Sequence, residues 1–386
     1  MNILLVGIDT LRADHLGCYG YVRDTSPVID RLAKEGILFK NAFAPAIPTH
    51  PGWTSILTGA HPLKHKIVTH VGDVQLSKDI PLISEILRSR GYETAAVDNM
   101  FLKYGHFYDW FTRGFKEYMH PGAIPAPEAG LKVKGEAVND MALKWLKKWV
   151  EKPIRRPFFL FLHYWDPHAP YKPPPPYDTK FWKVGKEPDE SRDYIVSQYD
   201  GEISYVDELI GQLIDFLDSK NILDDTLIIV TSDHGEDLKE HTDTWGHKGL
   251  FDSVTHVPLI FHYPRRLPEG VVIDALVQHI DIVPTILDFV GIEKPRTVQG
   301  KSLIPLIDSE ETKLYSEIIL MENSQEKARA LRTEKWKLIV SLEKDFENRP
   351  PGWLRLYNLE KDPNEAVNLA LHEQKLAEEL KQKLDM

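Results

Sequence analysis

The chain has 386 residues, of which 42% are hydrophobic and 27% are charged, and its formal net charge is -11. This length supports a large buried core, and the composition is that of an ordinary globular protein. The negative charge disfavours nucleic-acid binding, and a single cysteine, Cys18, excludes an internal disulfide and a multi-cysteine metal site. The apolar start is interrupted at Asp9, which predicts a core strand rather than a signal segment or a membrane span. We therefore expect a cytoplasmic protein with no nucleic-acid or membrane partner.

Short apolar runs alternate with longer amphipathic segments along most of the chain. The runs that predict buried strands lie at residues 3–9, 93–99, 158–166, 226–236 and 257–264. Between them, residues 138–150 and 201–223 carry apolar side chains at spacings of three and four, which predicts amphipathic helices. This alternation predicts an α/β fold, with a mainly parallel central sheet and helices on both of its faces.

Two segments depart from this alternation. Residues 170–182 are dense in proline and predict a surface loop. Beyond residue 314, short strand-like pieces precede a closing amphipathic helix, which predicts a small antiparallel α+β subdomain. We therefore predict a catalytic domain at residues 1–314 and a C-terminal subdomain at residues 315–386.

Acidic residues and histidines lie at the ends of three predicted strands. These residues are Asp9, His163, Asp166, His168, Asp233 and His234. In open α/β sheets, ligands bind beyond the carboxyl ends of the strands. Carboxylates and imidazoles are suitable ligands for Zn²⁺ or Mn²⁺, so a metal site is one hypothesis. For each residue taken alone, a role in capping or in a turn stays open.

The segment PAIPTHPGWTSILTG, from Pro45 to Gly59, places a threonine before a predicted helix. Threonine is a good N-cap and Pro51 suits a first helical turn, so capping is one interpretation of Thr49. A helix N-terminus also stabilises anions, and a hydroxyl beside a metal is a competent nucleophile. Both interpretations of Thr49 stay open on these residues alone.

Several motifs, in their order along the chain, resemble the sulfatases of the alkaline phosphatase superfamily. They include NILLVGIDTLRADHLGCYG, LTGAHP, DPHAPY, TLIIVTSDHGE, KGLFDSVTHVPLI and LYNLEKDPNEAVNL. The resemblance implies an alkaline phosphatase-like fold and hydrolysis of a small-molecule ester. It also implies one divalent metal ion, with Asp9, Asp233 and His234 as its ligands and Thr49 as a further ligand.

The chain departs from the family pattern at the implied nucleophile. Sulfatases carry Cys or Ser followed by x-Pro-x-Arg, and that Cys or Ser is oxidised to formylglycine. Here Thr49 takes the nucleophile position and Trp53 replaces the arginine. Oxidation of a threonine gives a ketone rather than an aldehyde, so we expect no formylglycine. Thr10 replaces a second metal carboxylate, which favours Mn²⁺ or Zn²⁺ and leaves Ca²⁺ or Mg²⁺ open.

The resemblance also implies the residues that contact the substrate. His168 matches a substrate-contacting histidine, and Lys248 matches the lysine that holds a sulfate or phosphate oxygen. Asn99 falls where sulfatases have another lysine of the substrate pocket. His247 is expected to line the pocket, protonate a leaving group or activate water. The indole of Trp53 is expected to form a stacking wall for a bulky leaving group.

Together, these features predict a metal-dependent hydrolase of phosphate esters, with phosphodiesters or phosphonate monoesters as substrates. Unmodified Thr49 would form a covalent phosphothreonine that water then cleaves. A sulfate-ester hydrolase without formylglycine and an inactive binding protein on the same scaffold are the alternatives. An oligomer stays open, as does a second metal near His163, Asp166, His241 and His247.

Overall fold

The structure is a computed structural model of the chain. It describes all residues except 71–73, 99–109, 123, 127–129, 133, 183–190 and 386. The chain divides into two compact units, each assembled from separated segments. The first unit comprises Met1–Lys40, Pro81–Ser232 and Pro258–Ile273. The second comprises Asn41–Ile80, Asp233–Val257 and Asp274–Met386. The division into residues 1–314 and 315–386 stays a prediction.

Strands and helices alternate along the chain as its hydrophobic pattern indicates. The strands are β1 (Asn2–Ile8), β2 (Ile37–Phe43), β3 (Ala46–Ile47), β4 (Glu93–Val97), β5 (Glu117–Met119), β6 (Ile124–Ala126), β7 (Gly130–Lys132), β8 (Phe158–Tyr164), β9 (Thr226–Thr231), β10 (Asp237–Leu238), β11 (Trp245–Gly246), β12 (His256–Val257), β13 (Leu259–His262), β14 (Val271–Gln278), β15 (Glu317–Asn323), β16 (Lys327–Thr333), β17 (Trp336–Ser341) and β18 (Leu354–Asn358). The helices are α1 (Pro27–Lys34), α2 (Thr49–Thr58), α3 (Pro62–His65), α4 (Ile83–Ser89), α5 (Gly135–Val150), α6 (Tyr177–Lys180), α7 (Arg192–Ser219), α8 (Asp252–Thr255), α9 (Ile282–Phe289), α10 (Ile304–Ile307) and α11 (Gln374–Asp385).

The first unit is built on a mainly parallel sheet with the strand order β2-β13-β9-β1-β8-β4-β5. Strands β9, β1, β8, β4 and β5 are parallel to one another, whereas β13 is antiparallel to both β9 and β2. Every residue of β1, β8 and β9 is buried, as expected for strands covered by helices on both faces. The predicted α/β fold is confirmed. Because β9 ends at Thr231, the acidic segment that follows lies beyond the strand.

The second unit contains a sheet with the order β18-β17-β16-β15-β3. It is antiparallel from β15 to β18, and the leucines of β16, β17 and β18 pack with those of α11 in one hydrophobic cluster. The predicted C-terminal antiparallel subdomain with a closing helix is therefore confirmed. The sheet also pairs β15 with β3, where Glu322 lies opposite Ile47. This pairing fixes the segment that leads directly to Thr49.

The proline-rich segment at residues 170–182 is mostly irregular, as predicted, and contains the short helix α6. Within the part of the chain that the structure describes, every helix is too short or too polar to span a bilayer.

Candidate active site

In the first unit, the parallel strands β1 and β9 bring two acidic segments to neighbouring strand ends. Asp9 directly follows β1, and Ser232 follows β9 and precedes Asp233 in the chain. The backbone N–H of Leu11 donates a hydrogen bond to Ser232 Oγ at 2.9 Å, so the segments after the two strands are tied together. This register explains how the ends of β1 and β9, which are far apart in sequence, come to lie side by side.

The imidazole of His163 lies between two buried carboxylates of the first unit. Its Nδ1 is 2.6 Å from Asp98 Oδ1, and its Nε2 is 3.5 Å from Asp9 Oδ2. Burial lowers the pKa of His163, but the hydrogen bonds and charges of Asp9 and Asp98 outweigh burial and raise that pKa to about 10. The Tyr118 hydroxyl donates to Asp98 Oδ2. His163 is thus an ion-pair partner of Asp9, and no sequence pattern pointed to Asp98 as its counterion.

In the second unit, helix α2 begins at Thr49, and the N-cap is Pro48. The backbone N–H of Gly52 donates to the Pro48 carbonyl at 3.1 Å. The capping interpretation of Thr49 is therefore wrong, because Thr49 is the first residue inside the helix. Its hydroxyl Oγ1 lies 3.3 Å from His234 Nε2, and the residue is 5% exposed. A buried hydroxyl at a helix N-terminus, beside an imidazole, fits the role of a nucleophile better than that of a cap.

The His234 imidazole is held in the tautomer that a metal ligand needs. Its Nδ1 is 2.8 Å from the Gly235 carbonyl oxygen, which only accepts, so Nδ1 carries the proton. The lone pair of Nε2 then points towards Thr49 Oγ1 and Asp233 Oδ2, which is 3.4 Å away. Hydrogen bonding of the second imidazole nitrogen to a carbonyl is the usual support of a metal-binding histidine.

The three predicted metal ligands are all buried, Asp9 at the end of β1 in the first unit and Asp233 and His234 in the second unit. Their role as ligands of one ion stays a prediction. Two carboxylates and one imidazole suit a divalent transition ion, and a threonine oxygen completes a mixed nitrogen and oxygen set. The residues present therefore fit the metal that the sequence predicts. The identity of the ion stays a prediction.

The first turn of α2 approaches Asp233 so closely that residue 52 must be glycine. A Cβ at Gly52 would lie 2.7 Å from the Asp233 carbonyl oxygen and 3.0 Å from Asp233 Cβ. Real Cβ atoms essentially never come within 3.0 Å of another heavy atom, so the backbone would have to move. Sequence reasoning missed Gly52, because the contact joins segments that are far apart in the chain.

Four imidazoles follow one another around Thr49 in the second unit. The rings of His234 and His247 have centroids 4.6 Å apart, and those of His247 and His70 are 6.1 Å apart. His70 Nδ1 is 2.7 Å from Nδ1 of His50, which directly follows Thr49 in α2. The structure thus places the predicted His247 beside His234. It adds two histidines that sequence reasoning missed, His50 and His70, although the adjacency of His50 to Thr49 was a usable signal.

The predicted Lys248 lies in the loop between β11 and α8, beside His247. Its ammonium donates to Thr244 Oγ1 at 3.1 Å, and the residue is half-buried. The loop is anchored by Glu322 Oε2, which accepts a hydrogen bond from the Gly249 N–H at 2.9 Å. Burial raises the pKa of the Glu322 carboxyl to about 7. Glu322 was not among the predicted residues.

The predicted stacking role of Trp53 does not agree with its surroundings. Trp53 has 0% exposed surface and is among the largest fully buried side chains. All ten residues of α2 are buried, so the indole belongs to the core around this helix. An indole without exposed surface offers no wall to a leaving group, and we correct its assignment to a core residue.

Other predicted residues have ordinary structural partners. Asp166 Oδ2 accepts the N–H of Gly135 at 2.9 Å, at the start of α5. His241 stacks on Phe251 with ring centroids 3.9 Å apart, and its Nε2 donates to the Asn364 carbonyl at 2.9 Å. These contacts give Asp166 and His241 structural roles, and the second metal near them stays an open prediction.

His168 and Asn99 complete the predicted substrate contacts. His168 lies in the first unit and is half-buried, and its Nδ1 donates to the Ala169 carbonyl at 2.7 Å. Its ring is 4.9 Å from that of Trp165. Asn99 lies outside the described residues. The substrate role of both residues stays a prediction.

Comparison with known proteins agrees with this geometry. The family model described as Sulfatase matches residues 1–292, and the model of the N-sulphoglucosamine sulphohydrolase C-terminal region matches residues 240–386. An arylsulfatase of Clostridium perfringens is 27% identical, over 100% of this chain and 92% of that protein. The multifunctional alkaline phosphatase superfamily protein PehA of Trinickia caryophylli is also 27% identical, over 79% of this chain and 77% of that protein.

A solved structure shows the same fold. The phosphonate monoester hydrolase of Agrobacterium radiobacter has a TM-score of 0.80 and 20% sequence identity, covering 99% of this chain and 94% of that one. Because the Sulfatase model covers well over half of the sequence, the family is not in question. The chain belongs to the sulfatase family of the alkaline phosphatase superfamily and is an ester hydrolase of that superfamily.

Proposed function

We propose that the chain hydrolyses phosphate esters, with phosphodiesters or phosphonate monoesters as its main substrates, and that unmodified Thr49 is its nucleophile. One observation carries the proposal. A threonine stands where sulfatases have Cys or Ser, at the first position of α2, with its hydroxyl 3.3 Å from His234 Nε2. The fold shared with a phosphonate monoester hydrolase, and the similarity to a multifunctional alkaline phosphatase superfamily protein, support the proposal.

One divalent cation, Mn²⁺ or Zn²⁺ in preference to Ca²⁺ or Mg²⁺, would be held by Asp9, Asp233 and His234, with Thr49 Oγ1 as a further ligand. When bound, it acidifies the hydroxyl and polarises the ester. The donor types support a single ion of mixed nitrogen and oxygen ligation. Elemental analysis of metal-reconstituted protein should find one equivalent of Mn²⁺ or Zn²⁺ per chain. Two equivalents, or Ca²⁺ alone, would contradict this part.

The protein residues would carry out the reaction in two displacements. The Thr49 hydroxyl gives up its proton to solvent as Oγ1 forms a bond to phosphorus and the bond from phosphorus to the leaving oxygen breaks. Lys248, His168 and Asn99 offset the charge on the non-bridging oxygens, where electrostatic stabilisation usually contributes most. Water, activated by His168 or His247, then attacks phosphorus and restores the Thr49 hydroxyl.

The preference for phosphate over sulfate follows from the chemistry of threonine. A formylglycine hydrate expels sulfate by collapsing to the aldehyde, and a threonine ester cannot release its sulfate or phosphate group by this route. Its intermediate must be cleaved at the central atom, a route that phosphatases of this superfamily use. We therefore place phosphate esters ahead of sulfate esters for Thr49.

A sulfate-ester hydrolase is the second candidate, because many of the similar proteins are named sulfatases, including the arylsulfatase of Clostridium perfringens. Metal-loaded protein should be assayed with chromogenic phosphate monoesters, phosphodiesters, phosphonate monoesters and sulfate esters. The proposal expects turnover of a phosphodiester or a phosphonate monoester that Thr49→Ala abolishes. Faster turnover of sulfate esters would favour the second candidate. No turnover of any ester would favour a binding protein on this scaffold.

A further inference from the structure

We propose that His70 donates the proton to the leaving group of the ester, and that His50 is the positioning residue that orients His70. This inference rests on the proposed function, because it assigns two further residues to the same site. It starts from the pair formed by the two imidazoles. Their Nδ1 atoms are 2.7 Å apart, and their rings are nearly perpendicular, at 85°.

The two members of the pair differ in their access to a substrate. His50 is 1% exposed and lies in the first turn of α2, immediately after Thr49. His70 is half-buried and therefore keeps part of its ring accessible. Since an ester cannot reach His50, the buried imidazole acts through its hydrogen bond to His70.

The position of His70 relative to the nucleophile suits a proton donor. The His234 imidazole contacts Thr49, the His247 ring lies 4.6 Å from that of His234, and the His70 ring follows at 6.1 Å from that of His247. In an in-line displacement, the leaving oxygen departs on the side of phosphorus opposite to the nucleophile. A donor to that oxygen must therefore be a group near the site other than the one that contacts Thr49, and the succession of rings from His234 through His247 leads to His70.

The proton transfer balances within the proposed reaction. Because Nδ1 of His70 is engaged by His50, the proton comes from Nε2. As the bond from phosphorus to the leaving oxygen breaks, its electron pair stays on that oxygen, which takes the proton of His70. The water that cleaves the phosphothreonine gives its hydroxide to phosphorus, and its proton passes by way of the activating residue, His168 or His247, to His70. Histidine suits this cycle, because its ordinary pKa lies close to neutral pH.

The decisive experiment varies the leaving group. Metal-loaded wild type, His70→Gln and His70→Ala are compared on methyl phosphodiesters or phosphonates whose leaving groups are p-nitrophenol, phenol and an alkyl alcohol. p-Nitrophenolate leaves without protonation, whereas the other two require it. We expect a loss of about 10²–10⁴-fold in kcat/KM on the phenyl and alkyl esters, the usual range for one acid–base residue, and little loss on the p-nitrophenyl ester. The exposed His372→Gln is the matched control and should behave as wild type.

His50 is tested by the same leaving-group series. His50→Ala should reproduce the selective loss on poor leaving groups, and His50→Asn should recover part of it, because an amide replaces the Nδ1 hydrogen bond. A merely structural role of His50 would lower all three rates together. Equal losses on all leaving groups, or none, in the His70 variants would overturn the inference. Failure of the proposed function is seen separately, as absent phosphate-ester turnover in the wild type.

Discussion

Replacement of Gly52 by alanine tests whether the first turn of α2 and the proposed metal ligand Asp233 form one rigid arrangement. A Cβ at residue 52 would lie 2.7 Å from the Asp233 carbonyl oxygen and 3.0 Å from its Cβ. The first of these neighbours is a backbone atom, so no flexible side chain can rotate away. The helix start, the Asp233 backbone or both must shift.

The size of the shift follows from the contact distance. Ordinary van der Waals contact begins at 3.4 Å, so the 2.7 Å approach requires about 0.7 Å of separation. Thr49 lies three residues before Gly52, and its hydroxyl would move relative to Asp233. Disturbance of the support around a metal site commonly costs about 10–100-fold in metal affinity. A misplacement of about 1 Å costs about 10²-fold in rate. Overpacking of this kind costs about 1–3 kcal/mol in stability.

Calorimetric titration of the apoprotein with Mn²⁺ or Zn²⁺, together with phosphodiester kinetics, measures these effects. Gly211→Ala is the matched control, because this glycine of α7 would meet only the Val28 side chain, at 3.1 Å. Alanine also has the higher helix propensity, so the control should keep its stability, metal affinity and rate. Wild-type metal affinity and rate in Gly52→Ala would refute the rigid arrangement.

Three further predictions test the surroundings of the site. Lys248→Ala should lower kcat/KM by about 10²–10³-fold with unchanged metal content, and an unchanged rate would make it a surface lysine. Asp98→Asn should weaken Mn²⁺ or Zn²⁺ binding by about 10–100-fold in calorimetry, because the His163 imidazole beside Asp9 loses its counterion, and unaltered affinity would contradict this. The raised pKa of Glu322, about 7 against an ordinary 4.5, means that the folded state holds more protons than the unfolded state between these values. Its contribution to stability is therefore present below about pH 4.5 and lost as the pH rises through about 7. Glu322→Gln should reduce the change of the thermal unfolding midpoint with pH between about pH 5 and about pH 8. A pH dependence identical to that of the wild type would contradict the raised pKa.

The sequence predicted the parts of the fold that hydrophobic pattern determines. Strands β1, β8 and β9 are buried on both faces and therefore appear as continuous apolar runs. The direction of a strand does not alter its hydrophobic pattern, so the antiparallel orientation of β13 could not be predicted from the sequence. The same limit applies to β3, a two-residue strand whose pairing with β15 depends on a segment far along the chain.

The candidate site was predicted where residue type and motif agree, as at Asp233 and His234. The Trp53 prediction was wrong because it assumed that a departure from the family pattern faces the substrate, whereas every residue of α2 is buried. Gly52 and His70 were missed because their contacts join segments that are separate in the sequence. Such contacts depend on three-dimensional packing and leave no periodic pattern.

Mass spectrometry of Thr49 during turnover tests the proposed nucleophile most directly. Metal-loaded protein is mixed with a phosphodiester or phosphonate monoester, quenched in acid within a turnover, and digested. The account predicts an unoxidised Thr49 in the resting protein and a phosphoryl adduct on the Thr49 peptide after quenching. It also predicts that Thr49→Ala binds the metal but shows neither adduct nor turnover. Turnover by Thr49→Ala, or an oxidised residue 49 with sulfate esters cleaved much faster than phosphate esters, would contradict it.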